Sequence, residues 1–132
     1  MLKLKYEDLL NVPWAYNGNS LQGINCYNLV KLLQGRIGNE LPDIEQESRE
    51  EEDLDELVKN NVGEVVRINK PEPYCLVVFS VHPPYVTHIG VVLPEGKFIH
   101  IIKGEMVVVE KLNHLYWKNK IAGYYRCKKK KT

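Results

Sequence analysis

Three residues of this 132-residue chain have the types and spacing that could support chemistry: Cys26, His88 and His100. A free thiol ionises near pH ~8.5, so little of it is nucleophilic in neutral solution. Two devices change this. The N–H groups at a helix start stabilise the anion, and a neighbouring imidazole takes the proton. Cys26 opens the run Cys26-Tyr27-Asn28-Leu29-Val30-Lys31-Leu32-Leu33, which has the pattern of an amphipathic helix. The histidines lie twelve residues apart, in segments that read as paired strands. The chemistry implied is attack of a thiolate on a carbonyl carbon, with His88 as general base and His100 fixing its tautomer. Each residue alone has a plainer reading, since a lone cysteine on an apolar helix face or a lone strand histidine is ordinarily core. The conjunction carries the functional reading. Cys75, in an apolar strand, and Cys127, beside a basic tail, are read as inert. His82 and His114 are read as surface residues, and Trp14, Tyr16 and Trp117 as core by default, with the lining of a groove as the alternative.

The elements that must position these side chains follow from periodicity. Tyr6, Leu9 and Leu10 predict a short helix over 5–10, ended by Asn11-Val12-Pro13. A glycine- and asparagine-rich stretch then reads as a shaped loop. Cys26, Leu29, Val30, Leu33 and Ile37 fall at helical spacing on one face, with the thiol at its N-terminal end and Gly35 and Gly38 near its stop. Residues 45–59 are polar and helix-compatible. Strands are expected over 62–68, 75–81, 86–93, 97–102, 106–110 and 121–126. Helices followed by strands predict an α+β domain, with N-terminal helices packed on a five- to six-stranded antiparallel sheet.

The hairpin over 86–102 sets the histidines. Its turn is Pro94-Glu95-Gly96, which pairs residues whose numbers sum to about 190. Gly90 then faces His100, and His88 faces Ile102. Equal parity puts both imidazoles on one face of the sheet. They become diagonal neighbours, about 7–8 Å apart at the backbone, with Gly90 leaving room between them.

The bulk properties bound the function. The length suits one domain, expected over 1–127 with a disordered basic tail at 128–132. A net charge of +1 gives no general case for nucleic acid. No stretch approaches a membrane span, and Lys3 and Lys5 interrupt the apolar start that a signal peptide needs. Cytoplasmic synthesis is expected. The three cysteines lack metal-type spacing and cannot all pair internally, so a reduced state with a free thiol is expected. The chemistry requires no metal or organic cofactor.

These residues resemble the NlpC family of bacterial cell-wall cysteine peptidases. That family carries P-Y-x-W/Y-G-G-x-x-x-x-G-x-D-C-S-G-L-V. Here Pro13-Trp14-Ala15-Tyr16-Asn17-Gly18 precedes four residues and then Gly23-Ile24-Asn25-Cys26-Tyr27-Asn28-Leu29-Val30, without a gap. The second motif, H-V-G-I-Y-L-x-x-G-x-F-I-H, is similar to His88-Ile89-Gly90-Val91-Val92-Leu93-Pro94-Glu95-Gly96-Lys97-Phe98-Ile99-His100. The resemblance implies a papain-like fold, a peptidoglycan peptide substrate, Cys26 as nucleophile, His88 as base and His100 as the polar third residue. Glu40-Leu41-Pro42-Asp43, Val109-Glu110-Lys111-Leu112, Tyr116-Trp117 and Gly123-Tyr124-Tyr125-Arg126 look like the tail-assembly branch of phages and prophages. That likeness implies tail proteins as partners and a virion tail acting at the cell wall as the place of action.

The departures bear on substrate. Asn25 replaces the Asp associated with recognition of a free amine. Tyr27-Asn28 replaces Ser-Gly, an expected bulkier pair at the cleft. Trp14 replaces the motif tyrosine, which leaves Tyr16 or the Cys26 backbone N–H for an oxyanion. The usual P-G-D is Pro73-Tyr74-Cys75. Trp14, Tyr16, Asn25 and Tyr27 are therefore the expected substrate-binding residues, with a different or relaxed peptide preference. The rival readings are a structural tail-assembly protein without meaningful activity, and acyl transfer or deamidation by the same three residues.

Overall fold

A computed structural model describes residues 3–43, 65–81, 83 and 85–127. The polar segment 45–59, the start of the expected strand 62–68, His82 and the tail 128–132 lie outside the described residues.

The expected first helix is a single 3-10 turn, Glu7–Leu9. Its N-cap Tyr6 makes no side-chain capping bond, and Leu9 is its one buried residue. Tyr6 and Leu10 also pack on the core, but Leu10 turns extended with ψ 138° and Asn11 takes a left-handed φ of 69°, which ends the helix after one turn. The glycine- and asparagine-rich stretch contains two short antiparallel strands, β1 (Asn19–Ser20) and β2 (Gly23–Ile24). The α-helix α1 (Cys26–Arg36) follows and is the only one among the described residues. Of the expected helices, this is the one seen among the described residues.

All six expected strands are present: β3 (Val65–Ile68), β4 (Leu76–Phe79), β5 (His88–Leu93), β6 (Lys97–His100), β7 (Val108–Lys111) and β8 (Ile121–Cys127). They form one antiparallel sheet in the order β3-β8-β4-β5-β6-β7. The β5–β6 register is the predicted one, Val91 opposite Ile99, Val92 opposite Phe98 and Leu93 opposite Lys97. Glu95, in the turn between them, takes a left-handed φ of 68°.

β4 and β5 are buried along their whole length, which requires cover on both sheet faces. On one face α1 packs through Tyr27, Leu29, Val30 and Leu33 against Leu76, Val78, Ile89, Val91 and Ile99. On the other, Leu112 and Trp117 cover Val77, Phe79, Val92 and Phe98. No helix among the described residues is long and apolar enough to cross a membrane.

Candidate active site

The start of α1 is built by Asn25. It is extended, and its Oδ1 accepts the Asn28 N–H at 2.8 Å while its main-chain oxygen accepts that of Leu29 at 3.0 Å. This is an N-cap. Cys26 is therefore the first helical residue, half-buried, where the helix dipole favours a thiolate. The β1–β2 ribbon is tied to this point. The Gly18 carbonyl accepts from the Asn25 N–H at 3.2 Å and from Asn28 Nδ2 at 2.9 Å. Gly18 has no substitute here, since a Cβ on it would lie 2.5 Å from the Gly23 oxygen.

Two expected substrate contacts need correction. Tyr27 is 0% exposed, and its hydroxyl donates to the Pro42 carbonyl at 2.7 Å. One residue past the thiol turns the side chain about 100° around the helix, into the core. It does not line a cleft. Asn25 is 5% exposed and its oxygen is committed to the cap, so it shapes the helix start instead of reading substrate. Trp14 is half-buried, bridged to Ile24, and Tyr16 is exposed. Both remain available to a ligand.

The imidazoles meet as the parity argument requires. His88 Nε2 and His100 Nδ1 are 2.7 Å apart. Gly90 permits this, since a Cβ there would stand 2.9 Å from the Ile99 oxygen and 3.2 Å from the His100 Cβ. Beyond His100 the contact continues to a residue that sequence reasoning did not single out. His100 Nε2 lies 2.5 Å from Glu110 Oε2, which also accepts the Trp117 indole N–H at 2.8 Å. Glu110 is opposite Phe98 on β7, hence on the histidine face and diagonal to His100. Trp117 stacks on His88 with centroids 5.4 Å apart and meets His100 edge-on at 4.9 Å. The signal for Glu110 was an acid in the apolar run Met106-Val107-Val108-Val109-Glu110. The connection from β6 to β7 holds a turn, the Glu105 N–H donating to the Ile102 carbonyl at 2.9 Å with Gly104 at φ 82°, but its greater length leaves several registers open in the sequence.

Burial governs the charge of the pair. It pushes His88 down to about 3, with His100 adding to the effect, and pushes His100 down to about 4. Both rings rest neutral in neutral solution. The Glu110 carboxylate acts in the opposite sense on His100, favouring a proton there. Cys75, pushed up to about 11, and Cys127, also raised by burial, are poor thiolates.

The histidine face of the sheet carries Phe79, Phe98 and Trp117, and the core side chains of α1 pack on the other face. Hydrogen bonds relate α1 and β5 along their length. Gln34 Nε2 donates to the Tyr74 carbonyl at 2.8 Å, and the Tyr74 N–H donates to the Val92 carbonyl at 2.7 Å. The late part of α1 is thereby level with the late part of β5, and the two elements pack together. Counting back, eight helical residues from Gln34 to Cys26 span about 12 Å and four strand residues from Val92 to His88 about 13 Å. Cys26 opens α1 and His88 opens β5, each at the start of its own element.

A family model of the NlpC/P60 family matches residues 11–126. The gamma-DL-glutamyl hydrolase of Bacillus subtilis (strain 168) is 29% identical over 123 residues, 91% of this chain and 27% of that protein. The chain thus spans about a quarter of that relative's length. A crystal structure of an NlpC/P60 family protein from Bacillus cereus ATCC 10987 is similar with a TM-score of 0.69 at 19% identity, covering 90% of this chain and 36% of that one. The NlpC/p60 domain of the peptidoglycan hydrolase SagA is similar with a TM-score of 0.58 at 16% identity, covering 89% of each chain. At these identities the likeness to solved structures is one of fold.

Proposed function

The chain belongs to the NlpC/P60 family, and we propose that it is a cysteine hydrolase that cuts an amide bond in peptidoglycan stem peptides. The observation that carries this reading is the hydrogen-bonded His88–His100 pair, in a fold whose capped helix begins with Cys26. In the proposed reaction the Cys26 thiol passes its proton to Nδ1 of His88, the ring nitrogen not engaged with His100. The thiolate adds to the carbonyl carbon, and the backbone N–H at the helix start faces the developing oxyanion. His88 returns the proton to the departing nitrogen, the C–N bond breaks, and a thioester remains. Water then attacks the thioester, gives a proton to His88, and leaves a carboxylic acid and the free thiol. His100 holds the His88 ring in place. Trp14 and Tyr16 line the approach.

The test is fragment release from purified peptidoglycan of several chemotypes, followed by mass spectrometry. A γ-glutamyl peptide belongs in the substrate set, because the Bacillus relative is named for such a bond. Cys26→Ala is expected to lower turnover by about 10³-fold or more. Release by the alanine variant at the unmodified rate, or no release by either protein from any wall, overturns the proposal.

The finer assignment to a phage or prophage tail rests on the matches at Glu40-Leu41-Pro42-Asp43 and along the C-terminal strands. Within it, a structural role without turnover is the second reading, favoured by Trp14 in place of a hydroxyl-bearing tyrosine. It predicts iodoacetamide labelling of Cys26 along an ordinary thiol titration, whereas the hydrolase predicts labelling well below pH ~8.

A further inference from the structure

We propose that Glu110 is a positioning residue which, through His100, holds the proton on Nε2 of both imidazoles and supplies the counter-charge when His88 takes up the thiol proton. The inference deepens the hydrolase reading and rests on it for the second half of its claim.

The Trp117 indole can only donate, so its contact at 2.8 Å establishes Glu110 Oε2 as an acceptor. The same oxygen lies 2.5 Å from His100 Nε2, which a carboxylate acceptor requires to carry hydrogen. A neutral imidazole has one N–H, so His100 Nδ1 is then an acceptor. Its partner at 2.7 Å, His88 Nε2, must donate and carry the hydrogen of that ring. The lone pair of His88 falls on Nδ1, the nitrogen left for the thiol. A single carboxylate thus sets two tautomers in series and aims the base.

The second half concerns charge. A histidine as third residue can pass a proton along but brings no negative charge. Here the two rings sit among Phe79, Phe98 and Trp117, with centroid separations of 4.4 to 5.4 Å between each ring and its aromatic neighbours. His100 itself is 0% exposed. An imidazolium in such surroundings needs a nearby anion. Glu110 is in place to be that anion, its carboxylate 29% exposed and pinned by Trp117. It is also the one acidic side chain for which a contact with either ring is shown among the described residues.

The experiment uses the full chain and two readouts. Nitrogen-15 spectra of the histidine rings report the tautomers. Iodoacetamide labelling of Cys26 against pH, located by peptide mass spectrometry, reports thiolate formation. Glu110→Gln keeps an acceptor oxygen and loses the charge. It is expected to leave both rings protonated at Nε2 and to move the labelling midpoint up by about one pH unit. Glu110→Ala loses both, and is expected to mix the tautomers as well as raise the midpoint. Glu110→Asp is expected to lie between wild type and Glu110→Gln. Thermal unfolding of each variant identifies a loss of fold, and labelling and spectra are compared only at temperatures where the variant is folded. Wild-type tautomers in Glu110→Ala, or a wild-type labelling curve in Glu110→Gln, overturn the inference. His88→Ala is the control for the parent reading. If it leaves the labelling curve in place, the thiol–imidazole pairing fails. If it moves the curve and Glu110→Gln does not, only the role of Glu110 fails.

Discussion

At the scale of single residues, the two histidines are buried bases held neutral, and this has a consequence for stability. In an unfolded chain an imidazole titrates near ~6.5. In the folded protein burial pushes His88 down to about 3 and His100 to about 4. Between those limits the unfolded chain binds more protons than the native one, so acid favours unfolding. The contribution of the neutral pair is complete above pH ~6.5 and is lost as pH falls toward the folded values. The urea midpoint is therefore expected to fall steadily from neutral pH toward pH ~4. His100→Asn, which removes one of these titrations, is expected to flatten that decline. Parallel declines for variant and wild type would contradict the burial of a neutral His100. The same scale explains why Asn25 in place of a motif aspartate is tolerated. Its amide oxygen caps α1 as a carboxylate would.

At the scale of elements, the β5–β6 pair is the part on which the site depends. A tight turn at Pro94–Gly96 sets the register, and the register sets which side chains share a face. Gly90 leaves the space that β6 occupies beside the imidazoles. Gly90→Ala would put a methyl group 2.9 Å from the Ile99 oxygen and 3.2 Å from the His100 Cβ. The strands must part or His100 must shift. A stability loss of about 1–3 kcal/mol is expected, of the size of an overpacked core. Slower labelling of Cys26 at neutral pH should accompany it. Chemical denaturation and the labelling rate check this together. An alanine variant with wild-type stability would mean that the strands have slack which their spacing does not show.

At the scale of the whole molecule, the sheet is a partition. α1 and the N-terminal segment cover one face, the 112–120 segment with Trp117 covers the other, and the proposed reaction draws on residues of both layers. Holding the helix in place is then a global matter, shared by the Gln34–Tyr74 bond at one end and the Gly18 contacts at the other. Tyr27 adds a third tie, to Pro42, from inside the core. Tyr27→Phe leaves the half-buried Pro42 carbonyl without that donor and is expected to cost about 1 kcal/mol. Because the ring is 0% exposed, turnover and KM should stay at wild-type values. A change in KM at unaltered stability would return Tyr27 to the cleft.

Local features were legible from the residue order because they are decided by neighbours. A turn of three residues sets the β5–β6 register, a period of 3.6 marks α1, and parity alone put His88 and His100 on one side. The first helix failed on the same ground, since Leu10 turns extended and Asn11 takes a left-handed φ after one turn. Glu110 and Trp117 were out of reach. Their meeting with His100 depends on how β7 pairs after the longer β6–β7 connection, and on how a later segment folds over the sheet. So too the core side chains of α1 and the histidines proved to lie on opposite faces, because which layer covers which face is a matter of packing the entire core and not of any one stretch of chain.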